Sequence, residues 1–506
     1  MYFSELLQLI EPLKIHGDTR IEIQGLSYDS RQAGSGDLFF ALRGSAADGH
    51  LYVGSALANG ATAVVVEDEA VVPAGVPYAV VEDARLAMSI MAAGFYGNPT
   101  DGLPLVGITG TNGKTTTSYI IEAILEEAGI SAALLGTVNY RFRERVFPAP
   151  NTTPESVDLQ KRLREMADLG ARGVVMEVSS HALEQRRVDG CRFDAGVFTN
   201  LTRDHLDYHG DMDSYLASKK RLFTALLSGD RVKPRRRAVI NADDPYGREI
   251  AAEAACPVIT FGLDPASQVT ARDPRFSVGG ITARLVTPVG DMPFRSRLAG
   301  RFNMYNILAA AAAGVALELP LRAIISGIEG HRKVPGRLET VENDRGIAVF
   351  VDYAHTGDAL ENVLRTLSEL AGGRIITVFG CGGDRDRGKR PVMGEVAGRY
   401  SDLVIITSDN PRSEQPGAIM AEIRGGILGL GTREYSAVEV TAGFTEKGFV
   451  LIESRREAIR LAVRLAQPGD IVILAGKGHE DYQIIGAERI HFDDREEAAA
   501  ALNSEL

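Results

Sequence analysis

The sequence predicts an α/β protein of three domains: a small α/β N-terminal domain, a central domain with a parallel sheet, and a C-terminal Rossmann-like domain. Its 506 residues exceed what one hydrophobic core usually organises. The apolar run 103–108 leads through a glycine-rich loop into a helical pattern that ends at Gly129. Beyond residue 331, apolar runs alternate with helical stretches, as in a parallel sheet. We therefore expect domains at 1–98, 99–331 and 332–506.

The first domain is expected to combine a few strands with short helices. Residues 37–42 and 61–66 are apolar runs typical of buried strands, and 21–23 alternates like a third strand. The N-terminal segment predicts an amphipathic helix rather than a signal peptide, because glutamates interrupt its apolar stripe. Two polar loops, 29–31 and 44–49, suit phosphate or sugar binding, and ordinary turns are the alternative interpretation.

The central domain is expected to be of the P-loop ATPase type, because a glycine loop joins its first strand to a helix. Glycines let backbone N–H groups approach phosphate oxygens at the positive end of a helix. Lys114 would pair with the β- and γ-phosphates, and the Thr115 hydroxyl would bind Mg²⁺. A glycine-rich βα turn without a ligand is the alternative. The candidate nucleotide-binding residues are Gly110, Thr111, Asn112, Gly113, Lys114, Thr115 and Thr116.

Further polar side chains follow apolar runs of the central domain. Glu177 ends the run that starts at Gly173, and carboxyl ends of parallel strands face the ligand crevice, so Glu177 is a candidate Mg²⁺ ligand. His205 and His209 invite a zinc interpretation, although His-x₃-His in a loop is weak evidence. Lys219, taken alone, is a solvated charge on a helix. Asn303 and Asn306, one helical turn apart, could read an adenine edge or cap the helix.

The third domain is predicted to be a parallel sheet with polar loops at its carboxyl edge. The strands 347–351, 374–379, 403–407 and 471–475 each end in such a loop. No G-x-G-x-x-G pattern follows the first of them, so no nicotinamide cofactor is predicted.

Composition limits the classes of partner and compartment. A net charge of −12 argues against a broad nucleic-acid-binding surface, so any anionic substrate must meet local basic clusters. The cysteines Cys191, Cys256 and Cys381 lack metal or redox spacing, which fits a reduced, cytoplasmic compartment. The longest apolar run, 307–317, is too short to cross a bilayer, so we expect no membrane insertion. We expect a monomer.

A series of motifs, in order along the whole chain, resembles the Mur ligases. These are ATP-dependent amide-forming enzymes that build the peptide of bacterial peptidoglycan, and their short loop lacks the early glycine of the general phosphate-loop pattern. One departure is Gly357, where the family usually has proline, in a loop near the nucleotide. The motifs are DSR, GTNGKTT, NTTP, MEVSSHALEQRRV, NLTRDHLDYHG, the Tyr-x₃-Lys helix, PGR, VDYAH, GDRDRGKRP, DNPR and GKGHEDYQ.

The resemblance implies a two-step ligation. ATP would phosphorylate the γ-carboxylate of D-glutamate in UDP-N-acetylmuramoyl-L-alanyl-D-glutamate, and the amine of meso-2,6-diaminopimelate would attack the acyl phosphate. Thr115 and Glu177 would hold one Mg²⁺, and a carbamylated Lys219 with His205 and Glu177 would hold a second. The implied catalytic residues are Lys114, Glu177, His205 and Lys219.

The resemblance also implies three sets of binding residues. Arg412 would pair with the distal carboxylate of diaminopimelate, which lysine lacks, and Glu480 would suit the distal ammonium. The UDP-muramoyl-dipeptide set is Ser30, Ser45, Ala46, Ala47, Thr152, Thr153, Ser179, Gln185 and Arg187. The later ATP set is Asn303, Arg337, Asp352 and His355. The diaminopimelate set is Arg390, Asp409, Asn410, Pro411, Arg412, Gly476 and Glu480.

Three alternative functions stay open at this point. A lysine-adding Mur ligase would differ in substrate alone. Folylpolyglutamate synthase shares the short glycine loop but lacks the DSR domain and the DNPR motif. A regulatory P-loop NTPase would hydrolyse nucleotide without an amino-acid site, and the polar loops of the third domain argue against it. Ligation also predicts domain closure about a hinge near 334–336.

Overall fold

The N-terminal part of the chain forms a five-stranded sheet of order β1-β5-β4-β3-β2. The computed structural model describes residues 1–44, 47–229, 231–331 and 333–504. Strand β1 runs antiparallel to its neighbour, and the other described pairs of this sheet are parallel. The strands are β1 (Lys14–His16), β2 (Gly25–Ser27), β3 (Asp37–Phe40), β4 (Ala63–Val66) and β5 (Tyr78–Val80). The helices are α1 (Phe3–Leu7), α2 (Val53–Ala58) and α3 (Ala84–Phe95), with 3₁₀ turns at Gly49–Tyr52 and Glu69–Val71.

One prediction for this domain is confirmed only in part, and a second is wrong. The N-terminal amphipathic helix covers only α1, because the chain then enters β1, where Ile15 pairs with Ala79 on the sheet edge. The predicted strand 21–23 is absent from the described fold, since Glu22 makes a single bridge to Tyr2 and the strand follows at β2. In both places, pairing with distant segments overrides the local pattern.

The central sheet has eight strands in the order β13-β12-β11-β6-β10-β7-β8-β9. Its strands from β13 to β7 are parallel, and β8 and β9 add an antiparallel edge. Because β6 lies between β10 and β11, the carboxyl ends of these three strands meet at one place. The strands are β6 (Leu105–Thr109), β7 (Ala132–Leu135), β8 (Tyr140–Phe142), β9 (Arg145–Phe147), β10 (Gly173–Glu177), β11 (Ala195–Phe198), β12 (Arg237–Asn241) and β13 (Val258–Phe261).

Six helices accompany the central sheet, and α8 carries the Tyr-x₃-Lys motif. Leu216, Leu222 and Phe223 are buried in the core around the sheet, which turns Tyr215 and Lys219 inward. Each such apolar side chain contributes roughly 1.5–3 kcal/mol on burial. The helices are α4 (Lys114–Glu127), α5 (Ser156–Asp168), α6 (Ser180–Glu184), α7 (Leu206–His209), α8 (Met212–Arg221), which continues as a π-helical turn over Leu222–Leu226, and α9 (Pro245–Glu253).

A three-stranded sheet of order β14-β15-β16 follows, which the sequence pattern does not predict. Its first strand includes Asp273 and Pro274, residues that are rare in strands. The strands are β14 (Thr270–Ser277), β15 (Gly280–Thr287) and β16 (Gly290–Ser296), and the helices are α10 (Arg301–Ala316) and α11 (Leu321–Gly330).

The C-terminal sheet has seven strands in the order β17-β18-β23-β19-β20-β22-β21, all parallel except β17. The predicted α/β class and the four strands predicted here are confirmed. The strands are β17 (Glu339–Thr340), β18 (Ala348–Asp352), β19 (Ile375–Phe379), β20 (Leu403–Ile406), β21 (Arg433–Glu434), β22 (Gly448–Leu451) and β23 (Ile471–Ala475). The helices are α12 (Gly357–Leu370), α13 (Lys389–Tyr400), α14 (Pro416–Leu428), α15 (Ala437–Thr441) and α16 (Arg455–Leu465).

A hairpin and a last helix complete the chain: β24 (Tyr482–Ile485), β25 (Glu488–His491) and α17 (Asp494–Asn503). The described residues form two compact units. The first comprises Met1–Thr270, Thr287–Gly290 and Leu308–Gly327, and the second Ala271–Val286, Asp291–Ile307 and Ile328–Leu506. None of the described helices is both long enough and apolar enough to span a bilayer.

Candidate active site

The loop between β6 and α4 has the backbone of a phosphate-binding loop. Gly110 and Gly113 have φ of +149° and +89°, values that side-chain-bearing residues rarely adopt. A Cβ on Gly110 would lie 1.9 Å from the Thr199 hydroxyl oxygen, so only glycine fits there. Helix α4 begins at Lys114, and the N–H groups of its first turn have no partner within the helix. The loop can therefore present N–H donors to an anion.

Residues at the carboxyl ends of β11 and β12 fix this loop in place. The Asn200 side-chain oxygen accepts a hydrogen bond from the Asn112 N–H at 2.9 Å, and the Thr199 hydroxyl donates to the Asn112 carbonyl at 2.6 Å. Asn241 in turn donates to the Thr199 carbonyl at 2.8 Å. These three residues were not predicted to belong to the site. A signal for Asn200 was present, because it opens a polar motif directly after a strand.

Two lysine ammonium groups converge on the same loop. Lys114 Nζ donates to the carbonyls of Gly110 and Thr111 at 2.9 and 2.8 Å, and Lys219 Nζ donates to the Gly110 carbonyl at 3.0 Å. Lys219 is only 1% exposed, and its ammonium lies 4.4 Å from the Tyr215 ring centroid. Burial, and then the charge of Lys114, lower the pKa of Lys219 well below its usual value. Lys219 is therefore no solvated surface charge.

Glu177 is a fully buried carboxylate beside the loop. It accepts hydrogen bonds from the Thr137 N–H and hydroxyl, both at 3.0 Å, and from the Thr115 hydroxyl at 3.2 Å. A Cβ on Gly136 would lie 2.3 Å from the Glu177 carboxylate, so that approach needs glycine. The Thr115 hydroxyl and this carboxylate are the hard oxygen donors that suit Mg²⁺. Thr137 was not predicted as a partner of Glu177, because the two residues lie far apart in sequence.

The histidines of the NLTRDHLDYHG segment have separate environments. His205 is half-exposed, has φ of +53°, and stands edge-on to His181 with ring centroids 5.1 Å apart. Burial lowers the pKa of the His205 imidazole. His209 is buried, with Nδ1 3.0 Å from Glu184 and Nε2 2.9 Å from the Ser180 hydroxyl. Both ring nitrogens of His209 are thus engaged, which argues against the zinc interpretation.

The dipeptide-binding residues expected in the central domain form one hydrogen-bonded network with Glu177. Thr153 donates to the Glu177 carbonyl at 2.9 Å and accepts from the Ser179 N–H at 3.1 Å. The Arg187 guanidinium donates to the Thr153 carbonyl at 3.0 Å and to the Gln185 side chain at 2.7 Å. The Thr152 and Thr137 hydroxyl oxygens are 3.1 Å apart. Polar groups expected to hold one substrate are therefore contiguous with the candidate Mg²⁺ ligand.

Of the first-domain residues, Ser30 is buried, and its carbonyl accepts from Asn59 at 2.8 Å. Ala47 closes its loop by accepting from the Gly44 N–H at 2.9 Å. Ser45 and Ala46 lie outside the described residues.

In the second unit, the predicted diaminopimelate-binding residues include Arg412, Asn410 and Glu480. The Arg412 guanidinium donates to the Gly383 carbonyl at 2.8 Å, and within the described chain no carboxylate lies within 4.0 Å of it. Asn410 donates to the Glu480 carboxylate at 2.9 Å. Gly476 has φ of +110°, and a Cβ there would lie 2.9 Å from Asp409 Oδ2. The carboxyl ends of β19, β20 and β23 thus bring these predicted residues together.

The hairpin β24–β25 is joined to the DNPR loop by four hydrogen bonds. Gln483 donates to the Asp409 carbonyl at 2.6 Å, and the Ile484 N–H donates to the Asn410 side-chain oxygen at 2.9 Å. The Arg412 N–H donates to the Ile484 carbonyl at 3.1 Å, and the Gly486 N–H donates to the Arg412 carbonyl at 2.8 Å. Arg412 itself has φ of +52°, so the hairpin fixes a strained residue.

Arg390 is already paired, which the sequence did not indicate. Its guanidinium is fully buried and donates to both Glu414 oxygens at 2.9 and 2.7 Å, and to Glu422 at 2.9 Å. The Arg390 guanidinium lowers the pKa of Glu414 to about 2. In the DNPR loop, the Pro411 carbonyl accepts a hydrogen bond from the Glu414 N–H at 3.0 Å.

The later residues expected to bind ATP also belong to the second unit. Asp352 accepts from the N–H groups of Leu338 and Ala354 at 2.7 and 2.8 Å, and burial raises its pKa. The Arg337 guanidinium carbon lies 4.9 Å from the Tyr353 ring centroid. The remaining two are His355, with Nδ1 2.8 Å from the Tyr353 carbonyl, and Asn303, which is buried and donates to the Ala299 carbonyl at 2.8 Å.

Three family models match consecutive parts of the chain. The model "Mur ligase family, catalytic domain" matches residues 22–96, "Mur ligase middle domain" matches 108–314, and "Mur ligase, glutamate ligase domain" matches 336–478. A ligase of Geobacter metallireducens is 66% identical over 99% of this chain and 98% of its own length.

The chain belongs to the Mur ligase family.

It is therefore an ATP-dependent ligase. The Geobacter metallireducens relative is named UDP-N-acetylmuramoyl-L-alanyl-D-glutamate–2,6-diaminopimelate ligase. A protein of the same name from Geobacillus kaustophilus is 47% identical over 99% of both chains. A solved structure of that name is 34% identical, with a TM-score of 0.71 and 99% coverage of both chains. Folylpolyglutamate synthase of Mycobacterium tuberculosis, complexed with ADP, shares the fold at 19% identity and a TM-score of 0.60, covering 77% of this chain and 91% of its own.

Proposed function

We propose that this member of the Mur ligase family joins meso-2,6-diaminopimelate to the D-glutamate γ-carboxylate of UDP-N-acetylmuramoyl-L-alanyl-D-glutamate, with ATP as the energy source. Its relatives at 66% and 63% identity carry the name of that activity. The structural observation that carries the proposal is Arg412, a half-buried guanidinium with no carboxylate oxygen within 4.0 Å of it in the described chain; Asp384 is a more distant electrostatic neighbour.

Recognition of the amino acid follows from charge. The Arg412 fork can bind the distal carboxylate of diaminopimelate bidentately, and Glu480 can accept the neighbouring ammonium. L-Lysine has the ammonium but lacks that carboxylate, so it would bind without engaging Arg412. A lysine-adding ligase, the nearest alternative, is therefore disfavoured.

The phosphoryl-transfer end uses the loop of the central domain. Lys114 and the N–H groups at the start of α4 bind the triphosphate, and Thr115 with Glu177 would hold Mg²⁺, which neutralises phosphate charge. A γ-carboxylate oxygen of D-glutamate attacks the γ-phosphorus and ADP leaves. The amine then attacks the acyl carbon, inorganic phosphate leaves, and the amide forms after loss of a proton.

Lys219 is proposed to act as a carbamate. Only a neutral amine adds to CO₂, and the lowered pKa of this buried lysine favours the neutral form. The carbamate would supply an oxygen ligand for a second Mg²⁺, together with His205 and Glu177. Lys219→Ala should lose activity, and a short carboxylic acid should restore part of it. A full loss without restoration would contradict this role.

The domain roles follow the same proposal. Residues 1–98 would bind the UDP-muramoyl part, 99–331 would bind ATP, and 332–506 would bind diaminopimelate, with closure about 334–336 during ligation. A cytoplasmic monomer acting on small molecules is the proposed form.

The test is phosphate release by the purified protein with ATP, Mg²⁺ and UDP-N-acetylmuramoyl-L-alanyl-D-glutamate. Three parallel reactions contain meso-diaminopimelate, L-lysine, or no amino acid. Release with diaminopimelate alone is expected. Equal release with lysine would keep the ligase class and overturn the substrate, whereas release without any amino acid would favour the regulatory NTPase alternative.

A further inference from the structure

Lys477, in the GKGHEDYQ segment, is fully buried between two carboxylates of the amino-acid cluster. Its ammonium lies 3.6 Å from Glu480 Oε2 and 3.9 Å from Asp409 Oδ1, and it donates a hydrogen bond to the Tyr482 carbonyl. The ligation steps proposed above do not use this lysine. A buried ammonium is costly unless charges and acceptors meet it, so its place between two carboxylates needs a reason.

The two carboxylates differ in their other partners. Glu480 accepts a hydrogen bond from Asn410 at 2.9 Å. Among the described residues, Lys477 is the cation within 4.0 Å of the Asp409 side-chain oxygens, which accept no hydrogen bond, and the more distant Arg455 also interacts with Asp409 and Glu480. Lys477 is therefore the nearest charged partner of Asp409, whereas Glu480 has both Lys477 and Asn410.

The remaining charged and titratable groups around this cluster come from three elements, from the loop after β18 and from Arg412 on the DNPR loop. Tyr482 of β24 lies with its ring 5.5 Å from the Lys477 ammonium, and Tyr353 follows β18. Arg455 of α16 is fully buried, donates to the Ala475 carbonyl at 3.0 Å, and is neutralised by the equally buried Asp494 of α17 at 2.6 Å. The charges of Asp409 and Glu480 also raise the pKa of Arg455, so this pair acts on the cluster equally in wild type and in variants at position 477.

We propose that Lys477 is a positioning residue that fixes the charge of the Asp409–Glu480–Lys477 cluster at −1, so that the pocket accepts a single ammonium group of the amino-acid substrate. Two ionised carboxylates and one ammonium carry that charge. With Arg412 as the partner of a carboxylate, the pocket complements one zwitterionic end of diaminopimelate. This inference rests on the proposed function and deepens it.

The electrostatics of Glu480 give the expected direction. Burial and the Asp409 charge raise the pKa of Glu480, and Lys477 opposes them. Without Lys477, burial and the Asp409 charge act on Glu480 with less opposition, so the Glu480 carboxylate takes up a proton more readily and the substrate ammonium loses an ionised partner. The loss diminishes as pH rises and the carboxylate ionises again.

The experiment measures KM for diaminopimelate and for ATP from pH 6.5 to 9 in the full-length protein. Lys477→Met should raise KM for diaminopimelate about tenfold or more at pH 7, as expected for one lost charged interaction. The ratio of variant to wild-type KM should fall as pH rises, and KM for ATP should stay within about twofold. In this ratio the effect of the substrate's own ionisation on KM cancels, because it is the same for both proteins.

A second substitution separates charge from structure. Asp409→Asn in the Lys477→Met background removes the charge that raises the pKa of Glu480, so Glu480 stays ionised, and KM for diaminopimelate should fall again by about threefold or more and lose its extra pH dependence. A lysine that acts only structurally would give no such rescue. Lys447→Met is the matched control, because that lysine donates to the Arg399 carbonyl at 2.6 Å, outside the amino-acid cluster.

Equal rises in both KM values, a pH-independent ratio, or no rescue by Asp409→Asn would overturn the inference. If Lys477→Met does not fold, Lys477→Gln takes its place in the experiment, because glutamine keeps a hydrogen-bond donor for the Tyr482 carbonyl without the charge. If neither folds, Asp409→Asn alone decides, since it removes the net charge and must raise KM for diaminopimelate. Failure of wild type to use diaminopimelate would instead refute the proposed function.

Discussion

Truncation of Arg412 to alanine is expected to remove discrimination for diaminopimelate while leaving ATP binding intact. The side chain makes one hydrogen bond, to the Gly383 carbonyl, so its loss disturbs little of the protein itself. A charged group in a partly buried hydrogen-bonded pair is worth about 2–5 kcal/mol when its partner is truncated. Taking about 3 kcal/mol, kcat/KM for diaminopimelate should fall roughly 150-fold.

The assay compares kcat/KM for diaminopimelate and L-lysine in wild type, Arg412→Ala and Arg412→Lys. Lysine at 412 keeps the charge but loses the bidentate fork, so it should give an intermediate value. Arg412→Gly is the control for the backbone, because φ of +52° strains every residue except glycine. It should have the same substrate specificity as Arg412→Ala, and its melting temperature should be no lower than that of Arg412→Ala.

An equal loss of kcat/KM for diaminopimelate and of ATP affinity would refute the assignment of Arg412. So would an unchanged preference for diaminopimelate over lysine in Arg412→Ala.

Three further predictions concern the loop, a buried pair and acid stability. Gly110→Ala should raise KM for ATP at least tenfold, since its Cβ would lie 1.9 Å from a hydroxyl oxygen. Gly102→Ala is the control, because a Cβ there meets open space, and it should leave KM for ATP unchanged. Equal KM values for the two variants would contradict this. Arg455→Met should destabilise by about 3–5 kcal/mol in urea denaturation because Asp494 stays buried without its partner, and a loss under about 1 kcal/mol would count against it. The pKa of Glu414 is lowered to about 2, so its ionised carboxylate stabilises the fold above about pH 4.5, and this stabilisation is lost as the pH falls towards 2. The urea midpoint of wild type should therefore drop more steeply over this pH range than that of Glu414→Gln. Parallel curves for the two proteins would contradict this.

The sequence predicts local features of this chain well. Strand β6, its glycine loop and the start of α4 lie within one continuous stretch, so the hydrophobic pattern and the glycine positions are sufficient to predict all three. Glu177 was identified because it ends an apolar run, which marks the carboxyl end of a strand. The position of Arg412 in its motif likewise identified a residue that has no carboxylate oxygen within 4.0 Å in the described chain.

Contacts between distant segments explain what the sequence could not supply. Thr137 meets Glu177 only because β7 pairs with β10, and Asn200 meets Asn112 only because β11 pairs with β6. No local pattern encodes those neighbours. The partners of Arg390 lie on α14 and in the preceding loop, beyond the reach of its own motif. The three-stranded sheet was missed because Asp273 and Pro274 weaken the strand pattern.

The four hydrogen bonds between the hairpin β24–β25 and the DNPR loop have a consequence for recombination within the family. Under the proposed function, amino-acid choice would depend on two segments, about 409–412 and 476–486, that are separated in sequence and joined by these hydrogen bonds. A chimaera that exchanges one segment alone would break the bond between Gln483 and the Asp409 carbonyl, or that between Asn410 and the Ile484 N–H, wherever the new residue cannot replace the side chain. A chimaera should therefore acquire the substrate preference of its donor only when both segments are exchanged together.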